Sequence, residues 1–119
     1  MKIAITTAGA GLDAAVDPRF GRAARFLLVD TETGAWEAAD NAESVDSAQG
    51  AGILAAETVS RLGAEVVLTG HCGPKAFRAL TAAGIRVVVG VTGTVADAVE
   101  AFRAGRLKAA DAADVEGHW

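Results

Sequence analysis

Tyrosine is absent from this chain of 119 residues, and Cys72 is its single cysteine. One thiol excludes an internal disulfide and leaves nothing that asks for an oxidising compartment, so the cytoplasm is the expected location. With one Cys and only two His, His71 and His118, the chain also falls short of the four ligands that a structural zinc or a protein-held iron–sulfur cluster takes. No apolar run approaches the roughly 18 residues needed to span a bilayer, which argues against a membrane partner. Met1-Lys2-Ile3 leads directly into a strand pattern rather than a signal peptide, so a soluble, unprocessed protein is expected. Basic residues are outnumbered 11 to 15, and the net charge of −4 repels a phosphate backbone. No basic stripe with interleaved aromatics offsets it, so nucleic acid is not an expected partner. Aromatics are only 5% of the sequence, and the core must therefore be mostly aliphatic.

What is present fits one domain with one core. Lys2 to Thr6 reads as a first strand, and Arg25–Asp30 and Ala35–Asp40 as an antiparallel hairpin around Thr31-Glu32-Thr33-Gly34. Residues 7 to 24 between them show no period, and a connection of that length is usually functional or disordered. Ile53, Leu54, Thr58, Val59 and Leu62 recur at helical intervals in Ala51–Leu62, which Gly63 stops. Two units of strand, glycine turn and helix follow: 65–69, 70–74 and 75–83, then 86–89, 90–94 and 95–104. Their nearly continuous apolar strands imply parallel pairing under helices on both faces. The expectation is an α/β domain with a five-stranded mixed sheet, order 3-2-1-4-5 with strand 2 antiparallel, an order that also occurs in ribonuclease-H-like folds. Residues 1–105 form this domain, and 106–119 a polar, mobile tail. A ligand is expected at the carboxyl ends of strands one and four, where connections diverge.

The residues bordering that point are Thr6 to Gly11, the long loop, and Gly70-His71-Cys72-Gly73-Pro74. Gly70 and Gly73 permit a close backbone approach, and Pro74 suits the first turn of a helix whose free amides favour an anion. Gly93 and Thr94 stand before a second helix, with Asp97 placed for a capping box. The plainer alternative is that these glycines only permit tight turns. Cys72 and His71 are candidate metal ligands, with a buried thiol acting as a small hydrophobe as the alternative for Cys72. Arg19 and Arg22 flank Phe20-Gly21, which brings two guanidinium groups and an aromatic ring to one loop and suits a polyanion. Its alternative is a solvated loop with Phe20 plugging the core. Asp13, Asp17, Asp30 and Glu32 do not form the carboxylate set of a two-metal nuclease, because the first strand carries none. Phosphate-loop, dinucleotide and nucleophile-elbow motifs are missing too, so a binding protein is expected rather than an enzyme. Gly117-His118-Trp119 ends the chain with an imidazole and a large ring.

Taken in order, the opening Met-Lys-Ile-Ala-Ile, Pro18-Arg19-Phe20-Gly21-Arg22, Gly70-His71-Cys72-Gly73-Pro74 with Ala76-Phe77, and Gly117-His118-Trp119 resemble the dinitrogenase iron–molybdenum cofactor accessory family. Within it the chain is most similar to the branch of molybdenum–copper orange proteins. The resemblance implies a ribonuclease-H-like three-layer α/β/α fold that shelters a preassembled metal–sulfur cluster and passes it on. The cargo it implies is a noncovalently held molybdenum–copper–sulfide cluster or an iron–molybdenum cofactor precursor. The cluster-binding residues are then Thr6, Arg19, Phe20, Gly21, Arg22, Gly70, His71, Cys72, Gly73, Pro74, Gly93 and Thr94, with His71 and Cys72 as possible direct metal ligands. The competing reading is a regulatory module that contacts a partner ATPase or a cofactor-assembly enzyme and holds no cluster of its own.

Overall fold

A computed structural model describes residues 1–41 and 50–113. Five strands form one sheet: β1 (Lys2–Thr7), β2 (Arg25–Asp30), β3 (Trp36–Asp40), β4 (Val66–Leu68) and β5 (Arg86–Val88), in the order β3-β2-β1-β4-β5. β2 runs antiparallel to both its neighbours, while β1, β4 and β5 are parallel. Among the described residues the sheet is accompanied by three helices, α1 (Ala51–Arg61), α2 (Pro74–Ala82) and α3 (Val95–Arg103).

Strand alternation sorts the aliphatic residues onto two faces. Ala4, Phe26, Leu28, Val67 and Val87 point to one side, where α1 contributes Ala55, Ala56 and Val59 and α2 contributes Ala76 and Leu80. Ile3, Ile5, Leu27, Val29, Val66, Leu68 and Val88 point to the other, which α3 covers with Val95, Ala98 and Val99. The result is three layers, α/β/α. β4 and residues Val87 and Val88 of β5 are buried between two helical layers, which is why both stretches are apolar. β3 lies at the edge and is largely exposed. The hairpin turns through Gly34 at φ 78°, the left-handed region that suits glycine. Its entry is pinned by Asp30, whose Oδ1 accepts from the Glu32 amide at 2.8 Å and so holds the carboxyl below its usual range.

The connection after β1 leaves onto the α3 face, where Leu12 and Val16 pack, and the connection after β4 leaves onto the face covered by α2, so the two diverge between β1 and β4, where the expected ligand point lies. One expectation changes. The described part of the segment after α3 is anchored: Leu107 packs on the α3 face, and the Ala110 amide donates to the Val87 carbonyl at 2.7 Å along the β5 edge. Gly117, His118 and Trp119 lie outside the described residues.

Candidate functional site

The aperiodic connection after β1 is an ordered strap. It starts on the α3 face, where Leu12 and Val16 pack, and ends on the opposite face, where Phe20 is 1% exposed among core residues. Between these points it crosses the carboxyl ends of the strands. Main-chain bonds fix its course at each step: Ala96 and Val95 donate to Leu12 and Ala14, Val16 to Gly93, Asp17 to Thr6, and Phe20 to His71. Such backbone pairing leaves no residue-type signature in the sequence, which is why the strap shows no period.

This course settles where the expected residues stand. Arg19 and His71 pair in a parallel β-bridge, so an exposed arginine and a half-exposed histidine spring from adjacent points. The Asp17 carboxylate accepts from the Arg19 amide at 2.9 Å and shapes the turn that presents it. Arg22 follows two residues beyond the buried Phe20, half-buried and engaged within the protein. Next to His71, Gly73 and Pro74 begin α2. Gly73 is its N-cap, no side chain caps it, and Pro74 brings no amide, so its first turn keeps the positive end of a helix dipole without a local side-chain partner.

Other expected residues serve the fold. A Cβ on Gly70 would stand 2.6 Å from Pro18 Cα, so the close approach permitted there belongs to the strap and not to a ligand. Gly21 is likewise pressed against α1, with the Gly52 amide nitrogen 2.8 Å from where its Cβ would be. Phe20 stacks obliquely on Phe26 at 5.8 Å. Cys72 is fully buried, and its Sγ donates to the Gly73 carbonyl at 3.7 Å. The start of α3 is not a free anion site either. Thr94 and Asp97 form a reciprocal capping box, and the next two amides are spent on the strap carbonyls of Ala14 and Leu12. Gly93 is held at φ 88°, a conformation that needs glycine.

Among the described residues no group of three or more His, Cys, Asp or Glu converges as a metal site. Among the described residues, surface hollows elsewhere include one of about 210 Å³ beside Lys2 and Trp36 and one of about 420 Å³ between α1 and α2. No helix of the described residues is long and apolar enough to cross a membrane.

The family model described as dinitrogenase iron-molybdenum cofactor matches residues 1–105. The chain belongs to this family. Its fold is similar to that of the apo form of the orange protein from Desulfovibrio gigas, with a TM-score of 0.94, 49% identity and 96% of each chain covered. A putative NifB protein from Thermotoga is 35% identical with a TM-score of 0.79 over 91% of each chain. An uncharacterised protein of Methanocaldococcus jannaschii is 26% identical over 78% of this chain and 80% of its own length.

Sequence reasoning missed the roles of Thr69, Thr7 and the strap carbonyls. A signal for the first existed: β1 ends in threonines and Thr69 follows β4 directly, and the Ile5–Leu68 register sets Thr6 opposite Thr69.

Proposed function

We propose that this member of the family is a non-enzymatic carrier of a preassembled, anionic molybdenum-containing metal–sulfur cluster, in the first instance a molybdenum–copper–sulfide, held without a full set of protein ligands. The observation that carries this reading is the backbone pairing of Arg19 with His71 beside the uncapped start of α2. It gathers a fixed positive charge, an imidazole and a helix dipole on one patch. The chemistry of the donors suits such a cargo. With Cys72 turned into the core, the protein side of the contact is charge and amide, and the metals keep their own sulfides. Similarity to the orange protein over nearly the whole chain favours this branch of the family over an iron–molybdenum cofactor precursor as cargo. Handing the cluster to an assembly enzyme or a partner ATPase would follow from the same exposed patch.

The test is reconstitution. The purified chain is mixed with tetrathiomolybdate and copper, gel-filtered, and examined for visible charge-transfer bands and co-eluting molybdenum and copper in fixed ratio. Uptake no greater than that of serum albumin refutes the reading. A pull-down of assembly proteins that succeeds equally without molybdenum and sulfide would support the interaction module instead.

A further inference from the structure

Three threonine hydroxyls sit fully buried at the carboxyl end of the sheet, where valine would serve a strand equally well. Their hydroxyls donate to strap carbonyls or to each other, and Thr7 Oγ1 also accepts from the Gly9 amide at 3.1 Å. Thr6 and Thr7 point to opposite faces of β1, as alternation requires. Thr7 Oγ1 donates to the Ala15 carbonyl at 2.8 Å and Thr6 Oγ1 to the Asp17 carbonyl at 2.7 Å. The strap therefore sits astride the end of β1, gripped once on each side. Thr6 Oγ1 is also 2.9 Å from Thr69 Oγ1. A hydroxyl has one proton and the Asp17 carbonyl can only accept, so the order of donation is fixed: Thr69 to Thr6, and Thr6 to Asp17.

We infer that this Thr69–Thr6 chain is a positioning latch, which sets the height of the strap over Gly70 and thereby the place of Arg19 against His71. Thr6 thus belongs to the site as a positioning residue and makes no contact with cargo. Its hydroxyl acts two residues upstream of Arg19, and the Asp17 amide returns to the Thr6 carbonyl at 2.7 Å, so one residue closes a two-bond clamp on Asp17. The link to cargo rests on the carrier reading above; the latch itself does not.

The experiment compares Thr6→Val, Thr6→Ser, Thr69→Val and the unaltered protein. Amide hydrogen exchange is followed at Asp17, Phe20 and the core residue Val67, and retention of a tetrathiomolybdate–copper load is followed through gel filtration. Thr6→Val should speed exchange at Asp17 and Phe20 about tenfold, as loss of one buried hydrogen bond implies, with Val67, which reports global unfolding, rising by no more than that. Thr69→Val, which spares the bond to Asp17, should do less, and Thr6→Ser should restore protection. Loaded Thr6→Val should lose its cargo several-fold faster, again with rescue by serine. Unchanged exchange at Asp17 and Phe20, or a rise larger at Val67 than at either, overturns the latch. Loosened exchange with undiminished retention overturns its positioning role. Should the unaltered protein take up no load while the exchange pattern appears as stated, the latch stands and the carrier reading falls.

Discussion

Replacing Gly70 with alanine tests the placement of the strap most directly. The backbone at Gly70 is not in the left-handed region, so alanine meets no conformational penalty there, and any effect comes from the added methyl. That carbon would stand 2.6 Å from Pro18 Cα, 2.9 Å from its carbonyl oxygen and 3.0 Å from its Cβ, where ordinary contact begins at 3.4 Å. The strap must retreat by about 0.8 Å, which stretches a 2.7 Å bond such as Thr6 Oγ1 to Asp17 O to the limit of hydrogen bonding. Two bonds depend on that spacing, the hydroxyl to Asp17 and the Asp17 amide to Thr6. At about 1 kcal/mol each, and more for a carbonyl left buried, the loss is about 2–3 kcal/mol. For a domain of this size that lowers Tm by roughly 8–12 °C. Circular-dichroism melting reads the loss, and exchange at the Phe20 amide locates it. Pro18→Ala should not rescue the variant, because the nearest atom is main-chain Cα. A Gly70→Ala protein that melts within about 2 °C of the unaltered one, with Phe20 still protected, would refute the packing of the strap on Gly70.

The other expectations separate fold from cargo. Arg19→Gln should leave Tm within about 1 °C yet shorten retention of a tetrathiomolybdate–copper load about five- to tenfold at low salt, a difference that shrinks as ionic strength rises. Thr94→Ala should cost about 1 kcal/mol in a denaturant melt through loss of the capping box, while leaving cargo retention unchanged. Asp30, whose pKa lies below its ordinary value, adds stability that is present above the ordinary value of 3.8 and lost as pH falls through its lowered one. Asp30→Asn should therefore lower Tm slightly at neutrality, where the contribution is fully present, and converge on the unaltered protein in acid, which flattens the acid limb of a Tm-against-pH curve below about pH 4.

Periodicity made the sheet order and the helices legible, because each element reports its own burial. Val66 to Leu68 and Arg86 to Val88 are short, yet their β-branched content and the glycines closing each unit were enough to place them as parallel neighbours. The side of the sheet taken by each helix was harder to see. It depends on which face of an apolar strand pair a helix covers, and a strand buried on both faces has no polar side to show it.

The site was legible in composition and not in roles. The motif residues Arg19, Gly70, His71 and Thr94 do gather at one end of the sheet, yet motif spacing does not distinguish a residue that meets cargo from one that meets the strap. Gly70 and Thr94 look like an anion cradle in the sequence because glycine turns and capped helix starts serve both purposes. Only the course of residues 12–20 separates them, and that course is written in carbonyls and amides every residue type shares. What remains facing outward is narrow: Arg19, His71 and the first turn of α2. On the carrier reading, a patch of that kind would recognise the charge and size of a compact anion more than the identity of its metals, and discrimination among clusters would come from how far the proposed latch at Thr6 holds Arg19 from α2. Variants that move the strap should then change which thiometallate is retained, and not only how long.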